Sequence, residues 1–195
     1  MRITIRDGGP DDVPVILGML DSSVAWLAAQ GRPGQWGTSP LSENPKTVES
    51  VARYVDEGWA FIAEADGVPA AALTLTDSPG AYLAHLSPPG EPERYIHWLA
   101  SDRRFKGHGV GSALLAHAAE ETRRAGVALL RVDCYAGDDR KLVAYYEANG
   151  FTSTEAYTVG EHAWPGQVLA RRVRPPRRTL RMTGDGDGLR APAVD

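Results

Sequence analysis

Ile3 and Ile5 alternate with polar neighbours, which predicts a first strand near residues 2–6, broken by Gly8-Gly9-Pro10. Val13, Ile16, Leu17, Leu20, Val24 and Leu27 then recur at helical spacing, an amphipathic helix ending near Gly31. Glycine and proline around Trp36 make residues 31–45 a loop. Val48, Val51 and Val55 put one apolar face on a second helix from Pro45 to Glu57. Trp59–Ala65 and Val68–Thr76 are strand candidates, joined by the hairpin dipeptide Asp66-Gly67. Residues 77–93 are rich in Pro, Gly and Ser and predict an irregular crossing. Tyr95–Ser101 is the next strand, and a helix marked by Val110, Ala113, Leu114, His117 and Ala118 runs to Gly126. The largely apolar Val127–Cys134 has the character of a strand covered on both faces. A short helix spans Asp138–Asn149, with Gly150 as its closing residue, and strands follow near 151–159 and 166–174. This order predicts an α/β fold: a mixed sheet with helices on both faces.

The chain has 195 residues, a length that fits one domain with an appendage. The composition changes at Pro175, so we expect a domain over 1–175 and a flexible Arg/Gly-rich tail over 176–195. The arginines from Arg171 to Arg181 read as a solvated run, with contact to nucleic acid as the alternative. The net charge of −4 argues against a nucleic-acid partner, which calls for a basic domain. With Cys134 as the one cysteine, an intrachain disulfide or a thiolate zinc site cannot form, and no metal is expected. No continuous apolar run reaches the length of a membrane span, and the amino terminus alternates as a strand does rather than as a signal peptide. The expectation is a soluble, cytoplasmic protein without a membrane partner; a homodimer is compatible with the chain.

Candidate chemistry starts at "RFKGHGVGSALL", residues 104–115, where Gly107, Gly109 and Gly111 sit immediately before a helix. Such a turn exposes backbone N–H groups at the helix N-terminus, where the dipole favours an anion such as pyrophosphate. Lys106 and His108 can add donors. The plainer alternative is a tight turn that needs positive φ. A P-loop is excluded because Gly111 is followed by Ser112-Ala113, not Lys-Ser/Thr. The dinucleotide fingerprint fails because its third glycine would fall at Ser112 or Leu114.

"KGHGVG" resembles the Arg/Gln-x-x-Gly-x-Gly/Ala signature of the GNAT superfamily of acetyl-CoA-dependent N-acetyltransferases, with Lys106, Gly109 and Gly111 in its places. "DDRKLVAYYEANGF", residues 138–151, resembles the family's second motif, whose ending Tyr-x-x-x-Gly-Phe is matched by Tyr146, Gly150 and Phe151. "YIHWLASDRRF" resembles its fourth strand and exit, and the resemblance covers about residues 2–174. Lys106 departs from the usual Arg or Gln and keeps charge without the forked geometry. Asp139 stands where the family often has an asparagine that holds the pantetheine arm.

The resemblance implies a mostly antiparallel central sheet splayed between strands 4 and 5. It implies that Lys106, Gly107, His108, Gly109, Val110, Gly111 and Ser112 hold the coenzyme A pyrophosphate. The pantetheine arm would pair with backbone near Leu99 and Ser101, and an N–H near Leu99 would polarise the thioester carbonyl. Tyr146 matches the acid that protonates the leaving thiolate; the alternative for the pair Tyr145-Tyr146 is helix packing. These two side chains diverge by about 100° on a helix, so one faces the sulfur. His97, two residues before Leu99, is the candidate base, with a glutamate or a water chain as the alternative and Glu93 as the nearest upstream carboxylate. Trp36 and Trp98 are candidate acceptor contacts; Trp36 alternatively plugs the core edge, and His162 and Trp164 could contribute. Cys134 has no paired histidine in its segment to make it a nucleophile. The resulting expectation is acetyl transfer from acetyl-CoA to the primary amine of a small molecule by direct attack in a ternary complex. The alternatives are a protein or peptide N-acetyltransferase and a non-catalytic acyl-CoA-binding regulatory domain.

Overall fold

The computed structural model describes residues 1–137, 139–160 and 163–174. His162 and the tail expected over 176–195 lie outside the described residues. Among the described residues seven strands form one sheet in the order β1-β2-β3-β4-β5-β7-β6. They are β1 Ile3–Asp7, β2 Ala60–Ala65, β3 Val68–Thr76, β4 Glu93–Ser101, β5 Leu129–Tyr135, β6 Thr152–Val159 and β7 Trp164–Arg172. The described α-helices α1 Val13–Ala29, α2 Pro45–Asp56, α3 Val110–Arg124 and α4 Lys141–Ala148 cover it. Every neighbouring pair is antiparallel except β4 and β5, which α3 connects as the crossover that parallel strands require.

The expected elements are present, and their ends moved for local reasons. Asp66 and Gly67 take φ of 50° and 82°, the pair of positive values that a tight hairpin needs. The last helix starts at Lys141 rather than at Asp138. The Asp139 carboxylate accepts from the Lys141 N–H at 3.1 Å and Arg140 is left-handed, so the chain turns before it coils. β4 starts two residues early because Glu93 is not in the loop. Glu93 is buried and pairs with Arg131 of β5 at 2.8 Å.

Two apolar layers flank the sheet. On one face α1 and α2 bury Ile16, Leu20, Val51 and Val55 against Ile62, Ala72 and Ala100. On the other, α3 and α4 bury Leu114, Leu115, Ala118 and Tyr146 against Leu73, Ile96, Leu130 and Val132. The segment Pro10–Ala29 is apolar and long enough to cross a bilayer, but Ile16, Met19, Leu20 and Val24 of α1 are buried inside the fold.

Sheet register creates the functional opening. β4 and β5 pair at Glu93–Leu129, Arg94–Leu130, Tyr95–Arg131 and Ile96–Val132, and there the ladder stops. Beyond that point β4 stays with β3 as far as Ser101–Ala71, and β5 stays with β7 as far as Tyr135–Gly166. The sheet therefore splits into two wings joined by a short parallel seam. Leu114, fully buried on α3, holds the wings from below. We predict that Leu114→Ala lowers unfolding free energy by roughly 2–5 kcal/mol in urea denaturation, the range for a leucine cavity. A loss under about 1 kcal/mol would show that α3 does not carry the seam.

Candidate active site

At the split, β4 carries a bulge. Leu73 faces Leu99 and Leu75 faces Ile96, so Thr74 opposes the two residues His97 and Trp98. The extra residue resets the alternation of sides. Ile96 and Leu99 pack with the α3 layer, whereas Trp98 and Ala100 pack with the α1–α2 layer and His97 stacks on Tyr54 of α2. Two consecutive side chains, His97 and Trp98, thus face the same compartment. The β4 edge beyond Ile96 has no β5 partner, which leaves backbone groups for an extended ligand segment to pair with.

The opening widens into a cleft of about 550 Å3 lined by His97, Trp98, Leu99, Tyr146, Trp36 and Asp133, among others. Five residues singled out from the sequence therefore meet at one place. Tyr146 is buried, and burial raises its phenol pKa well above the usual value, with Cys134, Tyr145 and Asp133 adding to the rise. It stays a protonated donor throughout the physiological range. Tyr145 points elsewhere: its hydroxyl lies over the start of α3 beside Gly111, with Ser112 as its hydrogen-bonding neighbour.

His97 Nε2 lies 2.8 Å from Thr76 Oγ1 and 3.1 Å from the Ser78 carbonyl, and Thr76 Oγ1 donates to that same carbonyl at 2.8 Å. A carbonyl only accepts, so the pattern assigns the hydrogen to Nε2 and the lone pair to Nδ1. Burial lowers the His97 pKa from 6.5, against smaller upward effects from Ser78 and Asp133. The imidazole is neutral at pH 7, the state a base needs.

The glycine turn sits past the other end of β4. Gly107 and Gly109 adopt φ of 81° and 79°, and Gly109 caps α3. Gly111 has a different reason to be glycine: a Cβ there would lie 2.5 Å from the Tyr145 hydroxyl. Lys106, Gly107, His108 and Gly109 are exposed, and His108 Nδ1 lies 3.1 Å from the Lys106 carbonyl. The N–H groups of Val110, Gly111 and Ser112 belong to the first helical turn, which has no i−4 carbonyl partner to offer them. Arg103 stacks on Trp26 of α1 at 3.7 Å, with Lys106 over the same ring at 5.0 Å. A single stacked arginine in a charged run gives no signal in sequence.

Asp139 is committed elsewhere. It bonds Arg32 at 2.7 Å and Lys141 at 2.6 Å, and the Lys141 contact is the main reason that its pKa falls to about 2. The Arg32 pair and a Trp164 Nε1–H donated to the Gln35 carbonyl at 3.0 Å fasten the loop after α1 across the cleft. Tyr135 runs beneath that loop, where a Cβ on Gly34 would clash with its hydroxyl. Trp36 on this loop both lines the cleft and packs against the α1–α2 layer. Cys134 is buried and its thiol is pushed up to about 12, chiefly by burial, so it is no nucleophile at neutral pH. Among the described residues no cluster of metal-ligating side chains occurs.

A splayed β4–β5 pair, a bulged β4 and a glycine turn opening α3 define a class of acyl-transferring proteins, and the family comparison agrees. Residues 23–151 match the acetyltransferase (GNAT) family, to which this chain belongs; it is a GNAT acetyltransferase. It is 27% identical over 168 residues, 82% of this chain and 87% of the other, to the N-acetyltransferase YesJ of Bacillus subtilis strain 168, itself uncharacterized. Its fold is similar to a GNAT-family acetyltransferase of Listeria monocytogenes 4b F2365, with a TM-score of 0.64, 17% identity and coverage of 88% and 95% of the two chains. It is similar also to YncA of Salmonella typhimurium, solved with its cofactor acetyl-CoA, with a TM-score of 0.62, 16% identity and coverage of 90% and 96%. The same fold serves N-acetyltransferases named for a ribosomal-protein alanine and for phosphinothricin.

The residues present fit acetyl-CoA: free helix-start N–H groups, two left-handed glycines and an unpaired strand edge. Gly109→Val, which forces a β-branched residue into positive φ, is predicted to weaken coenzyme A binding at least about tenfold by calorimetry. Unchanged affinity would remove the turn from the binding site.

Proposed function

We propose that this protein acetylates the primary amine of a small molecule, and that the amine attacks directly while both substrates are bound. The bounded acceptor cleft carries this reading. The loop after α1 is strapped to the turn before α4 and to β7, and the cleft volume of about 550 Å3 falls inside the roughly 300–1,000 Å3 typical of small-molecule sites. Acetylation of a protein or peptide amine is the second reading, favoured by the alanine-directed enzyme that shares the fold.

When bound, acetyl-CoA supplies an acetyl thioester whose carbonyl carbon takes the nitrogen and whose sulfur leaves as thiolate. The turn from Lys106 to Ser112 is assigned the pyrophosphate. The unpaired edge around Leu99 and Ser101 orients the pantetheine arm, and the Leu99 N–H polarises the carbonyl. His97 Nδ1 takes the proton that the attacking amine must lose, since an ammonium has no lone pair. Tyr146 Oη holds the proton that the thiolate needs. Trp36 and Trp98 wall the acceptor side.

Tyr146→Phe is predicted to lower kcat by about 100-fold while coenzyme A affinity stays within about threefold, as expected for loss of one proton donor. Equal activity would take Tyr146 out of the mechanism. The His97 pKa lies below 6.5, so kcat/KM should keep its plateau to a more acidic pH than ordinary imidazole allows and fall only beneath it. His97→Gln should abolish that acid limb; an unchanged limb would assign the base elsewhere. A thiol-release assay over small amines and amino-terminal peptides separates the two acceptor readings. Faster turnover of peptides than of every small amine would overturn the first.

A further inference from the structure

Asp133 is the first residue of β5 beyond the seam and sits opposite His97 across the opening, close enough for its charge to act on that imidazole. It lines the acceptor cleft. Three phenols donate to it: Tyr82 at 2.7 Å and Tyr95 at 2.8 Å to Oδ1, and Tyr157 to Oδ2. A carboxylate accepts about four hydrogen bonds, so Oδ2 keeps a place for one more donor. No described residue forms an ion pair with Asp133. The nearest arginine on its strand, Arg131, is taken by Glu93. The surrounding cleft walls are aromatic, with Trp36, Tyr82, Tyr135 and Trp164 among them. A carboxylate without a cation, half-buried among aromatic faces, is built for a positive charge brought by a ligand.

That charge is not on the reacting nitrogen. A neighbouring carboxylate favours the ammonium form, and the ammonium cannot attack. Asp133 faces His97, and Leu99, where the thioester carbonyl is assigned, lies two residues further along β4, roughly 6–7 Å. Lys46, the other formal charge lining the cleft besides Asp133, is exposed at the start of α2 and leaves the Asp133 end to the cation.

We propose that Asp133 determines acceptor specificity by pairing with a second, non-reacting cationic group, so that the acceptor is a diamine or an amino-guanidine. This rests on the acceptor face proposed above. The second cation keeps its proton throughout; only the amine at the Leu99 end of the cleft gives its proton to His97 and is acylated.

The test compares putrescine, n-butylamine and β-alanine as acceptors in wild type, Asp133→Asn and Tyr157→Phe. Putrescine binding to the coenzyme A-loaded protein is measured in parallel by calorimetry. Wild type should favour putrescine over n-butylamine in kcat/KM by at least about tenfold. Asp133→Asn, which keeps the shape and loses the charge, should erase that ratio and raise the putrescine Kd by about the same factor. Tyr157→Phe, which keeps the charge, should retain the ratio. A wild-type preference for n-butylamine or β-alanine, or a preference that survives Asp133→Asn, would overturn the proposal. Loss of the ratio in Tyr157→Phe as complete as in Asp133→Asn would also overturn it, because geometry rather than charge would then set the choice. Putrescine binding that depends on Asp133 without turnover of any amine would sustain the cation site and refute the acetylation of small amines. Turnover of amines without Asp133-dependent binding would do the reverse.

Discussion

The parallel ladder between β4 and β5 ends after Ile96 and Val132, and the rest of the site depends on that end. Backbone groups in a sheet interior demand partners, so two strands that part company create free hydrogen-bonding capacity at the split. Their other neighbours hold them apart: β4 follows β3 to Ser101 and β5 follows β7 to Tyr135. The bulge at His97–Trp98 then aims two successive side chains at the same compartment. The proposed function puts coenzyme chemistry on the α3 side of the opening and acceptor chemistry on the α1–α2 side, with the split in the sheet as the passage between them.

Much of this was legible in the sequence, because local rules and the fold agree. Alternation, helical spacing and the Asp66-Gly67 turn located the elements, and the wandering ends have local causes such as the Asp139 cap before α4. The GNAT resemblance anticipated the splayed sheet, which pairing rules alone did not. The three glycines looked alike on paper but serve two purposes. Gly107 and Gly109 supply left-handed turns, while Gly111 makes room for Tyr145. Helical geometry said that one member of the Tyr145-Tyr146 pair faces the cleft, and Tyr146 is the one that lines it.

Asp133 was not legible, and the reason is physical. One aspartate in a largely apolar strand carries no signal of its own, and its three phenol donors come from positions 82, 95 and 157. Only the folded sheet brings them to one carboxylate. The strap across the cleft was hidden for the same reason. Arg32–Asp139 and Trp164–Gln35 link residues more than a hundred positions apart. The exposed ion pair adds little stability by itself. It holds the loop after α1 in place over the cleft.

The central claim is that the open edge beyond Ile96 is where coenzyme A lies. Amide hydrogen exchange with and without coenzyme A tests it most directly. The account predicts slowed exchange within Leu99–Ser101 and Gly109–Ser112 when coenzyme A binds, with the edge strand β1 unchanged. Slowed exchange confined to the helix start, with β4 beyond Ile96 unaffected, would contradict it.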